Sequence, residues 1–252
     1  MTGRARRLGL LLAPFLVLGA GWELAVRAGL LDPTFFPPPA EILVLTVELY
    51  RHGDLAGHAL ASLRRIVLAG LLGGSTGIWL GFLLGRSEPL RLLVDPHLSV
   101  LYPLPKITLL PIMFSLFGVT EVARILTMAL AVAVLVTINT VGAVAQIEDA
   151  YVEAALDNGA DGLSLYREVI LPATLPQVAS GLSLGFGVAV VLLVVIEMVA
   201  ANAGLGYVIW TAWQQFTIGR LYVALFSINV LGVVFVHGPE ELGDAITPWT
   251  TH

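Results

Sequence analysis

The sequence predicts an all-α polytopic membrane protein with about six transmembrane helices, built as a single transmembrane domain over residues 1–252. Three observations carry that prediction. The chain is 57% hydrophobic and 12% charged, half the charge of soluble domains, which average about 25%. Apolar runs long enough for a hydrocarbon core of about 30 Å alternate with short breaks rich in Pro, Gly or charge. Glycine recurs at four-residue spacing along these runs. That weakens a helix in water, but in lipid it makes a flat strip for close helix packing.

Arg4, Arg6 and Arg7 lead into the first apolar run, Leu8–Leu30. The run is too long for a signal peptide and lacks a clear small-residue cleavage site. It reads as a retained span, with Trp22 near an interface. Asp32–Ala40, DPTFFPPPA, cannot be helical and lies outside the hydrocarbon. Glu41–Ala61 reads as an amphipathic helix outside the membrane core. Arg64–Leu84 is the second span, about 31 Å long at 1.5 Å per residue. Gly73, Gly77, Gly81 and Gly85 line one side of it, with Gly70 and Gly74 in a parallel row.

Arg86–His97 reads as a short polar loop, and Leu98–Phe117 as a third span interrupted by Pro103, Pro105 and Pro111. Gly118–Val122 is a tight turn and Ala123–Val144 the fourth span. Val178–Ala201 is the fifth, where Gly181, Ser183, Gly185 and Gly187 form small-xxx-small pairs. Asn202–Gly219 reads as a loop holding Gly204-Leu205-Gly206, Trp210 and Trp213. Leu221–Val236 is a shorter sixth span before an acidic tail over residues 237–252. Three arginines ahead of the first span favour a cytoplasmic N-terminus. On the opposite side Arg51, Arg64, Arg65, Arg124 and Arg220 nearly balance them, so charge alone leaves the orientation open.

Between the fourth and fifth spans lies a polar interlude, about 146–172, of a kind rare in so apolar a chain. Glu148–Leu156 is rich in Ala and Glu and predicts a short helix. Gly159 supplies the positive φ of a helix-ending turn. Leu163–Val169 predicts a second short helix, which Pro172 stops. A soluble helical hairpin is the plainer reading, but the flanking spans leave little soluble chain to host it. Glu153-Ala154-Ala155, Gly159, Val169 and Leu171-Pro172 fit the spacing EAA-x3-G-x9-I-x-LP, with Val for Ile.

This pattern resembles the EAA loop of binding-protein-dependent ABC importer permeases. Ser62-Leu63-Arg64-Arg65, the stretch from Pro103 to Gly118, Asn139-Thr140-x-Gly142, and Glu197 with Gly204-Leu205-Gly206 resemble the nitrate, sulfonate and taurine branch of that family. The resemblance covers about Leu8–Leu231. It departs at the C-terminus, where the family usually closes with a long span and a basic tail. It implies a MetI-like architecture in a bacterial inner membrane, working as a homodimer with two cytoplasmic ATPase subunits and an extracytoplasmic binding protein. The cargo would be a small solute. Glu153, Ala154, Ala155, Gly159, Leu171 and Pro172 would form the coupling surface that docks on the ATPase.

Chemistry of the chain's own is sparse. No GxxxxGK[ST] loop occurs, so ATP hydrolysis is expected on separate subunits and the chain is not itself an enzyme. Cysteine is absent, and His52, His58, His97, His237 and His252 lack metal-ligand spacing, so no metal or cofactor is expected. A net charge of −5 without a basic patch gives nucleic acid no footing. An ion-gradient-driven secondary transporter would show inverted repeats and ionisable residues at mid-membrane. An intramembrane enzyme would show paired catalytic groups. Neither pattern is evident. Four polar residues are candidates for a translocation pathway. Asn139 and Thr140 face it or tie helices together. Glu197 lines its outer gate or meets solvent at the interface. Lys106, some eight residues into the third span, contacts an anion or snorkels to the headgroups.

Overall fold

A computed structural model describes residues 2–247, with side chains from residue 13 onward. Among the described residues all regular structure is helical. In chain order the helices are α1 (Thr2–Arg27), α2 (Pro39–His52), α3 (Leu55–Gly85), α4 (Glu88–Leu101), α5 (Leu110–Phe117) and α6 (Glu121–Ala145). They continue as α7 (Asp149–Asp157), α8 (Gly162–Leu165), α9 (Leu171–Ala200), α10 (Leu205–Gln214) and α11 (Ile218–Ile246). Four stretches are long and apolar enough to cross a membrane: Leu55–Gly85, Glu121–Ala145, Gly162–Ala200 and Ile218–Ile246. The pair Glu88–Leu101 and Lys106–Phe117, bent by 99°, counts as a fifth if its two arms cross as one broken span. The predicted first span coincides with α1, and its residues 8–12 lie outside the described side chains.

The centre of the bundle is the pairing of α3 with α6. A Cβ built on Gly73 would lie 2.2 Å from the Ala129 carbonyl oxygen, and one on Gly77 2.7 Å from Val136 Cβ. At Gly81 and Gly85 it would meet the Cβ atoms of Thr140 and Val144 at 2.3 and 2.6 Å. Four glycines at four-residue spacing thus face α6 residues at the same spacing, and the two helices run side by side in the same direction. The second row, Gly70 and Gly74, takes Phe186 and Leu182 of α9. From α9, Gly181 receives Asn139 and Gly185 receives Val132. In lipid, where hydrophobic burial does not favour helix over lipid contact, such close approach is what holds helices together.

Outside the hairpin, the chain departs from the sequence reading at several places. The predicted Glu41–Ala61 helix is two helices parted at Gly53-Asp54, and α3 begins at Leu55, well before Arg64. The predicted 86–97 loop is mostly α4, because Pro89 falls in a first turn, where its missing N–H costs no bond. The third span is therefore not one rod. Pro103 and Pro105 end α4, and its two arms meet at 99°. The predicted 202–219 loop holds α10, launched by Gly204 at φ 127°. Finally, α11 runs through Pro239 to Ile246, past the expected end at Val236, and Gly243 packs against Ala179 of α9. The rest of the predicted acidic tail, 248–252, lies outside the described residues.

Gly77→Leu would drive a side chain into Val136 and the Ala133 carbonyl, already 2.7 and 2.8 Å from a Cβ. Overpacking of that kind costs about 1–3 kcal/mol. Thermal unfolding in detergent should show a lowered melting temperature for Gly77→Leu. Gly19→Leu, with nothing within 4 Å of its Cβ, should melt like wild type. Equal melting of all three proteins would remove the glycine strip as a packing face.

Candidate functional site

The polar interlude is a compact hairpin at one end of the bundle. Its first arm, α7, closes on Gly159 at φ 85°. The Ala160 amide donates to the Ala155 carbonyl and the Gly159 amide to that of Leu156, each at 2.9 Å. This is the paired closure of a left-handed helix cap. The second arm starts at Asp161, whose side chain and Ser164 cap each other. Pro172 does not stop this arm, contrary to the sequence reading. The helix runs unbroken for 39 residues from Gly162 to Ala200, widened to a π-turn over Tyr166–Ile170 just ahead of Pro172. Such a turn shifts the hydrogen-bond register where proline has no N–H to give.

The hairpin is seated on the ends of α3 and α6. Leu165, Ile170 and Val144 are buried together, with Phe82, Val152 and Ala155 packed around them. The Tyr166 ring meets Phe82 edge-on at 6.3 Å. The opposite face is unpartnered within the protomer. Tyr151, Leu156 and Leu163 are 64%, 49% and 83% exposed, and Glu153 and Ala154 are exposed beside them. Leu171 is exposed and Pro172 half-buried, the latter lining a concavity of about 610 Å³ with Gln146, Tyr151 and Glu168.

At the far end of the bundle, buried polar groups join four helices. Glu197, fully buried, accepts from Arg65 Nη1 at 2.6 Å, Ser62 Oγ at 2.8 Å and the Gly206 amide at 2.9 Å. Arg65 also forks onto Glu121 at 2.8 and 2.7 Å, and Arg124 adds a bond to Glu121 at 2.7 Å. Arg124 Nε donates to the Ala200 carbonyl, and the Leu205 amide donates to Ser62. The 201–206 segment is thereby drawn onto the carboxylate so closely that a Cβ on Gly204 would lie 2.2 Å from Glu197 Cδ. Outside it, His58 accepts from the Gly204 amide and stacks on Tyr207, while Arg220 grips Asp54 with bonds of 2.7 and 2.8 Å. Those Arg220 bonds hold the Asp54 carboxyl below its ordinary range.

The sequence reading named Glu197 but not its partners, and it counted Arg65, Arg124 and Arg220 as loop charges. The structure buries Arg65 and Arg124 almost completely, so they carry little information about orientation. Ionisable residues within apolar runs were the available signal, since such groups pair inside the protein. The structure does not bring the four pathway candidates together. Asn139 lies against Gly181 and donates to the Leu135 carbonyl. Thr140 is fully buried against Gly81, its hydroxyl without a partner. Both therefore sit at helix contacts. Lys106 sits at the break of the third span, apart from the other three, its Nζ donating to the Tyr102 carbonyl.

The chain is a helical membrane bundle with an exposed hairpin between two of its long helices. The chain matches the family "Binding-protein-dependent transport system inner membrane component" over residues 73–237. It belongs to that family, as a multi-pass inner-membrane permease subunit of an ABC importer, with ATP hydrolysis on a separate subunit. It is 30% identical over 250 residues to the taurine transport system permease protein TauC of Escherichia coli (strain K12), covering 97% of this chain and 91% of that one. It is 32% identical over 222 residues to the putative aliphatic sulfonates transport permease protein SsuC of Bacillus subtilis (strain 168), covering 88% and 80%. Its fold is shared with a chain of the inward-facing MetNI methionine ABC transporter, at a TM-score of 0.63 and 23% identity over 80% of this chain and 98% of that chain.

Removing one member of a buried ion pair costs about 3–5 kcal/mol, because the other charge is left unpaired. Glu197→Leu and Arg65→Met should each destabilise the protein by that order in detergent unfolding. The double variant should lose clearly less than the sum of the two. Additive losses would mean that the two side chains are not energetically coupled.

Proposed function

We propose that this permease acts as a homodimer on two ATPase subunits and imports a small sulfonate, taurine or a related alkanesulfonate, delivered by a binding protein. The sulfonate reading rests on what the TauC and SsuC relatives are named for. The coupling reading rests on one observation above all: the second arm of the hairpin and α9 are a single helix of 39 residues. At 1.5 Å per residue that helix is roughly 58 Å long, enough to carry a push on the hairpin to the far face of the membrane. Tyr151, Leu156 and Leu163 supply apolar contact area on the exposed face, Ala154 allows close approach, and Glu153 offers a carboxylate to a basic group. ATP-driven closure of the two ATPases would then draw the two hairpins together and switch the central path between inward and outward access.

Gly159→Val tests this reading. The position has open space around its Cβ but φ 85°, so the substitution strains the backbone and little else. A β-branched residue there costs on the order of 1 kcal/mol or more. That is small against membrane insertion and large for a surface that must fit a groove, where 1.4 kcal/mol is about tenfold in affinity. At matched membrane levels the variant should capture the ATPase several-fold less well and transport poorly. Equal capture with equal transport would sink the coupling role of the hairpin.

A further inference from the structure

Lys106 is the only lysine in the chain. It opens the second arm of the bent third span, directly after the break left by Pro103 and Pro105. From Lys106 to Phe117, at the turn into α6, the chain spans roughly 16 Å at helical rise. Because this arm packs along the spanning helix α6, Lys106 lies well inside a hydrocarbon core about 30 Å thick.

An ammonium at such depth needs a compensating group. Arg65 and Arg124, also within the bundle, are paired to Glu121 or Glu197. Lys106 has no ion-pair partner among the described residues. Its Nζ donates to the Tyr102 carbonyl oxygen and lies 5.6 Å from the centre of the Tyr102 ring. Of its three N–H donors, two are therefore free for a ligand.

Tyr102 also lines a concavity of about 410 Å³ with Asp95, Leu98 and Ser99 of α4 and Ile138 and Val141 of α6. Asp95, at the middle of α4, has Arg91 one turn before it at 3.7 Å. Broken helices with unpaired backbone at mid-membrane are where transporters hold charged solutes. The depth also separates this ammonium from lipid headgroups as the source of an anion.

We propose that Lys106 is an anion contact of the translocation pathway, its ammonium taking the sulfonate of the solute at the break of the third span. This rests on the sulfonate cargo proposed above and adds the residue that reads its charge.

The chain has no cysteine, so Ser99→Cys places one thiol in the concavity. In proteoliposomes holding permease, ATPase and binding protein, that thiol is modified with an anionic sulfonatoethyl methanethiosulfonate or its cationic trimethylammonium analogue. The ratio of the two rates is compared with Lys, Gln or Arg at position 106, and taurine uptake is measured with Ser99 intact. Loss of the positive charge beside Tyr102 predicts a fall of about tenfold in the anion-to-cation ratio for Lys106→Gln. Lys106→Arg should restore it, and taurine uptake should follow the same order. Lys106→Met, an uncharged stem, replaces the glutamine variant if that variant assembles poorly. If wild type moves taurine while neither ratio nor uptake responds to loss of the charge, Lys106 is only a tie to Tyr102 and the inference is overturned. If wild type moves no taurine but the ratio responds, the anion contact stands and the sulfonate cargo falls.

Discussion

The Arg65 guanidinium, held between Glu197 and Glu121, is the interaction on which the far end of the bundle depends. Its three hydrogen-bonding nitrogens reach from α3 to α6, to α9 and to the Ala203 carbonyl of the following segment. Glu197, Arg65 and Arg124, all buried, would each be costly alone, while Glu121 is half-exposed. Together they satisfy one another, and the backbone of 200–206 takes up much of what remains. Gly204 and Gly206 are needed there because the backbone approaches the carboxylate too closely for a side chain. Burial of this kind is weak evidence for added stability, since desolvation offsets much of the attraction. It is stronger evidence for a fixed geometry, because few other arrangements of the four helix ends would pair every charge.

The remaining contacts extend that fixed geometry along the protomer. The glycine strip keeps α3 and α6 in register over four turns, and the second glycine row adds α9. At the hairpin end, Leu165 and Ile170 are buried against Val144 and Phe82. The hairpin is thus locked to α3 and α6 at one end, and α9 is locked to them at the other. A unit tied at both ends moves as a body. The bent third span is the exception, since its proline-broken centre lies outside both locks and carries the unpaired Lys106.

Much of this was legible in the sequence. The glycine spacing pointed to a packing face, and EAA-x3-G marked a turn that needs positive φ; the structure has Gly159 at 85°. What was missed has physical causes. Pro172 was read as a stop, yet it lies in a continuous helix because the π-turn ahead of it absorbs the lost bond, and the sixth span, read as ending at Val236, continues through Pro239. Proline in the first turn of α4 was read as loop because propensity says nothing about position within a turn. The partners of Glu197 are Gly206, nine residues on, and Ser62 and Arg65 on α3, which only the fold brings to it. No local pattern carries that information.

In the coupling reading proposed above, the protomer carries motion from hairpin to far end as one rigid body. The most direct measurement is a spin-label distance within one protomer, between cysteines introduced at the exposed positions Asp157 and Asn202. Labelled permease is diluted with unlabelled copies and assembled with ATPase and binding protein. The mean distance should stay within about 2 Å between nucleotide-free and ATP-bound states, while distances between the two copies of the proposed homodimer change. A shift of several ångströms within the single protomer would contradict it.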